Sequence, residues 1–245
     1  MLFPNNKLTI KLYMVVSIHQ PSYFPWMGFL SKIFRSERYI LMDDVQLADR
    51  AFQHRNLFLE QTGISKYLTI PFNRKGYRNK NIKDLTIHDC DWQRTHKKFI
   101  QFNYKKSHFF DEIFYFLDIF FSKKYVFLID ALIESMKLSM KLFDISTEMI
   151  LQSSLVYRKD SRKSDLILEL VKAVGGNIYL SGVGAIEYLI IDEFDREDIV
   201  VNFYTYEHLS YPQIHANEFV PGLSCIDVLF NIGIDSSKRL LRGVA

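Results

Sequence analysis

The pattern of apolar and polar positions along the chain predicts an alternation of strands and helices. Val15–Ile18 is a short apolar run ending at His19-Gln20-Pro21, which reads as a buried strand whose carboxyl end opens into a loop. Trp26, Phe29, Leu30, Ile33 and Phe34 then recur at helical spacing, predicting an amphipathic helix over Trp26–Arg35 that begins after Pro25. Arg38–Met42 is a second apolar run, stopped by Asp43-Asp44. Residues 46–90 are polar and irregular, with strands expected near Asn56–Glu60 and Tyr67–Pro71 and a hairpin turn at Gly63. Apolar residues three and four apart predict helices at Trp92–Tyr104, Phe109–Phe121 and Val126–Phe143.

A second strand, helix, strand passage follows. It comprises Glu148–Gln152, Ser161–Val174 stopped by Gly175-Gly176, and Asn177–Leu180 running into Ser181-Gly182-Val183-Gly184. Ile199–Tyr204 alternates like a strand, and Ser224–Ile232 reads as a helix capped by Ser224 with Asp227 at its third position. The expected fold is therefore α/β: a single domain with a mostly parallel sheet and a helical insertion in the middle of the chain. Met14 directly precedes the first strand. Residues 1–13 are thus expected to be an N-terminal extension or a product of start-site choice between Met1 and Met14, with the domain over 14–245.

Composition narrows the class. The 245 residues are 48% hydrophobic and 24% charged, with 10 Gly and 6 Pro, which excludes disorder and collagen-like or linker architectures. Aromatic content is 15%, so the core and any pocket should be rich in rings. Cys90 and Cys225 make neither a disulfide framework nor a four-cysteine zinc site, in keeping with a reducing cytoplasm. No apolar run approaches the ~20 residues that span a bilayer. The formal charge of +3 is uneven: Arg50–Lys106 holds 13 Lys+Arg against 4 Asp+Glu, a local +9, leaving −6 elsewhere. Arg74, Lys75, Arg78, Lys80 and Lys83 could face a phosphate or form a solvated surface loop; no nucleic-acid motif accompanies them.

Ligands of open α/β sheets bind at the carboxyl ends of strands, and three polar clusters fall there. His19-Gln20 follows the first strand, with Tyr23 held between Pro21 and Pro25. Asp43-Asp44-Val45-Gln46 follows the second, and Ser181-Gly182-Val183-Gly184 a later one. His19 suits a general base or acid, and either aspartate could orient it. The glycines offer backbone N–H groups at the start of an expected helix, suited to phosphate or carboxylate. His208, Tyr211 and Gln213 form a further polar and aromatic loop, with His208 a second proton carrier. Metal binding is not expected: adjacent aspartates on an extended segment point opposite ways, and His88, Cys90 and His96 only approach a ligand spacing.

Together these segments resemble the WbqC-like protein family, whose members occur in bacterial gene clusters for surface polysaccharide such as lipopolysaccharide O-antigen. The resemblance runs from about Met14 to Gly233. It is carried by Ile18-His19-Gln20-Pro21-Ser22-Tyr23-Phe24-Pro25-Trp26-Met27-Gly28-Phe29, Leu41-Met42-Asp43-Asp44-Val45-Gln46 and Gln53-His54-Arg55-Asn56. Further carriers are Leu68-Thr69-Ile70-Pro71, Asn103-Tyr104-Lys105-Lys106, Tyr179-Leu180-Ser181-Gly182, Tyr211-Pro212-Gln213, Phe219-Val220-Pro221-Gly222-Leu223-Ser224 and Asp227-Val228-Leu229-Phe230-Asn231. His54 stands where the family usually has Asn, and Val183 and Ala185 where Pro and a second Gly are expected. The resemblance implies a cytoplasmic tailoring enzyme, an acyl- or aminoacyl-transferase acting on the amino group of a nucleotide-linked amino sugar. Its partners would be that nucleotide sugar and an activated acyl or aminoacyl donor; no cofactor is named, and an oligomer is compatible. Catalysis would fall to His19, Asp43, Asp44 and His208. Binding would fall to Gln20, Tyr23, Gln46, Arg55, Asn56, Ser181, Gly182, Gly184, Tyr211 and Gln213. Nucleotidyl or adenylate transfer, and a non-catalytic sugar-nucleotide-binding protein, are the alternatives.

Overall fold

Residues 13–48, 52–89 and 91–243 are described by the structure, a computed structural model. The extension proposed for residues 1–13 lies outside the described residues except for Tyr13, and Cys90 lies outside them too. Five strands form one parallel sheet: β1 (Val15–His19), β2 (Arg38–Leu41), β5 (Glu148–Leu151), β6 (Ile178–Gly182) and β7 (Val200–Tyr204). Their order is β5-β2-β1-β6-β7, so the chain builds outward from β1 first one way and then the other. A separate antiparallel hairpin joins β3 (Arg55–Leu59) to β4 (Ser65–Thr69), and Gly63 in its turn takes the left-handed backbone, φ 79°. The sheet and the hairpin are those the sequence pattern predicts, within one or two residues at most ends.

Alternation along β1 divides the sheet's faces. Val16 and Ile18 are buried with Ile40 and Tyr179 against α5 (Lys163–Ala173), which supplies Leu166, Leu170 and Val171. On this side α6 (Ile191–Asp195) adds Phe194, whose ring stacks on Tyr179 at 6.0 Å. Tyr39 and Leu41 face the opposite, larger core. There lie α1 (Met27–Phe34), the insertion helices α2 (Trp92–Tyr104), α3 (Phe110–Ser122) and α4 (Leu128–Leu142), and α7 (Cys225–Arg242). No helix among the described residues is long and apolar enough to cross a membrane. Ser224 caps α7 as expected, its hydroxyl accepting from the Ile226 N–H. The helix continues past Ile232, however, after a kink at Gly233 (φ 77°), where a Cβ would press on the Phe109 ring at 2.7 Å.

Two polar arrangements hold the large core in register. The first is the loop after β1, which runs inward: Tyr23 and Phe24 are fully buried, and Phe24 sits at φ 40°. Buried backbone must be satisfied, and the partners come from three distant parts of the chain. The Tyr23 N–H donates to the Gln53 carbonyl at 2.9 Å, and Asn56 Nδ2 donates to the carbonyls of Tyr23 and Phe24 at 3.1 and 2.7 Å. Ser224 Oγ donates to the Phe24 carbonyl at 2.9 Å, while the Phe24 N–H reaches Ser135 Oγ at 3.3 Å. Pro21 and Pro25 lack an N–H, which removes two donors that burial would leave wanting. The Tyr23 hydroxyl meets His96 Nδ1 at 3.0 Å.

The second arrangement is a buried carboxylate. Asp227 accepts from the hydroxyls of Tyr104 and Tyr211, each at 2.8 Å, and from Gln213 Nε2 at 3.2 Å. Tyr104 Oη in turn accepts from the Leu59 N–H, tying α2, the hairpin, α7 and the 204–224 loop together. Burial raises the Asp227 pKa against the opposing effect of these hydrogen bonds.

Burial also holds His96 down to about 4, so between that value and an ordinary 6.5 the folded chain binds fewer protons than the unfolded one. Stability supplied by neutral His96 is complete above about pH 6.5 and is lost as pH falls toward 4, on the order of 3 kcal/mol at ~1.4 kcal/mol per unit. Urea unfolding followed across this range should show the decline, with a flatter profile in His96→Gln.

Candidate functional site

The strand order reverses between β1 and β6, and a crevice at the carboxyl ends of strands on either side of such a reversal is where α/β sheets bind ligands. A cleft of about 430 Å³ opens there, lined by His19, Gln20, Trp26, Phe29, Gln53 and His208 among others. His19 is the last residue of β1; its carbonyl accepts from the Tyr39 hydroxyl at 3.2 Å and from the Met42 N–H at 2.9 Å. Its ring stands edge-on to Phe29, with centroids 4.8 Å apart. Nδ1 lies 3.0 Å from the Gln20 carbonyl, which can only accept, so Nδ1 carries the proton and Nε2 keeps a lone pair. The surrounding protein lowers the His19 pKa to about 4, with the Lys32 ammonium adding to the effect. At neutral pH the imidazole is uncharged.

Opposite His19 is a wall of rings. His208 stacks on Trp26 at 5.1 Å and 23°, and Tyr206 meets the edge of each. The indole can fold back over α1 because residue 28 is glycine; a Cβ there would overlap the Trp26 ring. On the other side Gln53 Nε2 donates to Gln20 Oε1, while Gln53 Oε1, buried, is left without a partner. The cleft thus offers acceptors at His19 and Gln53 beside an aromatic surface, a combination that fits a ligand with N–H or O–H donors on a ring.

Of the residues singled out from the sequence, the fold gathers His19, Gln20 and His208 in this cleft. The others are placed elsewhere. Asp43 is buried and accepts from the N–H and hydroxyl of Ser153 at 2.8 and 2.5 Å, so it links β2 to the segment after β5. Asp44 lies in a separate cavity with Gln46 and Tyr157. Burial works against its charge, but hydrogen bonds from Lys83 at 2.6 Å, Lys159 at 3.0 Å and Asn81 at 2.9 Å outweigh it and hold the carboxyl well below the usual range. The group that orients the His19 ring is accordingly the Gln20 carbonyl. Tyr23 and Asn56 are enclosed in the core, while Tyr211 and Gln213 serve Asp227. Arg55 alternates with Asn56 on β3 and points into a second cavity. Ser181 is buried, with its hydroxyl on the Gly182 carbonyl, and Val183–Ala185 form a single 3-10 turn where an α-helix was expected. The α-helix start on which backbone N–H groups were expected to meet an anion is therefore not formed. Among the described residues no group of His, Cys, Asp and Glu could hold a metal ion.

Lys32 is the residue that sequence reading passed over. It is only 6% exposed, beneath β1, its Nζ 3.4 Å from the Ile18 carbonyl and unpaired with any carboxylate of the described residues. Burial lowers its pKa to about 8. Its place three residues after Phe29, on the apolar face of α1, was the available signal.

The sequence profile of the WbqC-like protein family matches residues 20–239. The chain is also 27% identical over 227 residues to a Mycobacterium tuberculosis (strain ATCC 25618 / H37Rv) protein named "Uncharacterized protein Rv1507c", covering 92% of this chain and 96% of that one. No solved structure matches.

Removing the Lys32 charge should raise the His19 pKa toward, though not to, its ordinary value, since desolvation by the cleft walls is the larger cause. An NMR titration of the imidazole in Lys32→Met measures this, and an unchanged value would refute the coupling. Gly28→Ala should expel the indole from the cleft wall at a cost of about 1–3 kcal/mol, read as a change in tryptophan emission together with a lower Tm.

Proposed function

This chain belongs to the WbqC-like protein family, and on that premise we propose that the His19 cleft binds a nucleotide-linked amino sugar and transfers an acyl or aminoacyl group to its amine. The step would tailor a precursor of surface polysaccharide in the cytoplasm. The observation that carries this reading is His19 itself: an uncharged imidazole at the reversal of strand order, its tautomer set by the Gln20 carbonyl so that Nε2 is free to take a proton. In the reaction the neutral amine attacks the acyl carbonyl, a C–N bond forms, and the bond to the donor's leaving group breaks. The attacking nitrogen becomes acidic as the bond forms, and only then does an imidazole held at about 4 accept its proton. The proton passes on to the departing group. Trp26, Phe29 and His208 would pack against the sugar, with Gln20 and Gln53 bonding its polar edge.

The same low basicity favours a second reading, in which the cleft binds the nucleotide sugar and leaves the chemistry to another protein. Incubating the purified chain with an amino-sugar nucleotide and an acyl-CoA, and following the mass of the sugar nucleotide, separates the two. Transfer is expected, with His19→Ala reducing kcat by about 10²–10⁴-fold at an unchanged circular-dichroism spectrum. Full turnover in that variant would remove His19 from the chemistry. Ligand-induced thermal stabilisation without product would favour the binding reading.

A further inference from the structure

A second cavity, of about 470 Å³, lies between the β3–β4 hairpin and the loop after β4. Three guanidinium groups line it: Arg55 from the first residue of β3, and Arg74 and Arg78 from the loop. Its wall is aromatic. His54 stands perpendicular to Phe72 with centroids 5.2 Å apart, and Phe72 meets Tyr77 at 5.4 Å. The guanidiniums are held from behind: Arg55 lies 4.3 Å over the Tyr67 ring, and Arg78 Nε donates to the Tyr77 hydroxyl at 3.4 Å. The backbone of the site is pinned as well, with the His54 carbonyl accepting from Ile70 N–H and the Arg78 carbonyl from Gln46 Nε2.

His54 supplies an independent observation. It is more than nine-tenths buried, and its Nδ1 has no hydrogen-bond partner. A buried imidazole nitrogen left bare is costly unless a ligand completes it. Burial, with Arg55 and then Arg74 adding to it, lowers its pKa to about 4, so the ring is neutral and Nδ1 can carry a hydrogen to donate. An imidazole N–H and planar forks of guanidinium N–H around one cavity are the complement of an oxyanion, and guanidinium matches phosphate oxygens two at a time.

We infer that this cavity binds a phosphoryl group, borne by a nucleotide or by free pyrophosphate, through Arg74, Arg78, Arg55 and His54. The site accounts for the basic loop as a built surface of the fold, and it stands whether or not the neighbouring cleft transfers an acyl group. Consecutive residues line the two cavities, Gln53 the cleft and His54 the second cavity.

Calorimetric titration of the full chain with pyrophosphate, inorganic phosphate and uridine diphosphate at constant ionic strength tests the inference. Saturable binding is expected, weakened about tenfold to a hundredfold by Arg74→Glu, the loss of a charge-assisted bond or two. Lys75→Glu removes the same charge from a neighbouring position outside the cavity lining, and should leave affinity within about twofold of the parent. Because Arg74 is exposed, its variant should fold, and Arg78→Glu repeats the test from a second side. The His54 imidazole, followed by NMR, should titrate at higher pH when pyrophosphate is bound, a change that a purely structural histidine would not show. Tighter binding of uridine diphosphate than of pyrophosphate assigns the site to a nucleotide, and equal binding assigns it to the free anion. Absence of saturation by every probe, or equal affinity in Arg74→Glu and the parent, would overturn the inference.

Discussion

The architecture depends on a loop that runs inward. Between β1 and α1 the chain carries Tyr23 and Phe24 into the core, and a buried loop is tolerable only when each of its backbone groups finds a partner. Those partners are Gln53 and Asn56 beside and on the hairpin, Ser135 on α4 and Ser224 at the start of α7. One six-residue passage thereby joins the sheet, the hairpin, the helical insertion and the C-terminal helix. His19 precedes it and Trp26 follows it, so the rigidity that burial imposes is transmitted directly to two sides of the cleft.

The sheet decides where the cleft is, and the additions to it decide what the cleft is like. Parallel strands growing outward from β1 in both directions leave a crevice at the carboxyl edge, an outcome of topology rather than of any one residue. The 204–224 loop is led across this edge because Asp227 holds Tyr211 and Gln213, and His208 is thereby brought to stack on Trp26. Phe52 and Gln53, just before the hairpin, line the other side, while Arg55 on the hairpin and Arg74 and Arg78 on the loop after it bring the guanidiniums to the second cavity. Asp227 and Asn56 therefore act on the cleft from a distance, through the segments they hold.

The elements themselves were legible. The helical period of α2 predicted Trp92–Tyr104 to the residue, and Ser224 was recognised as the cap of α7, because burial of a stripe and satisfaction of end groups are local demands. The helix expected after β6 was not formed, since two glycines signal a turn as readily as a helix start. The continuation of α7 beyond Gly233 was likewise hidden, as glycine at φ 77° ordinarily ends a helix.

Taken alone, the sequence determined the α/β class, the parallel core strands, the helical insertion and the family resemblance. These follow from periodicity and from short motifs, which act within a turn or a strand. Only the tertiary structure decided which polar residues line the cleft. Asp43 is paired with Ser153, Tyr104 and Tyr211 with Asp227, and Lys32 lies beneath β1, each through contacts that no spacing along the chain encodes. A polar side chain near a strand end is equally suited to bind substrate or to satisfy a buried backbone. The choice belongs to whatever the fold brings within about 3 Å of it.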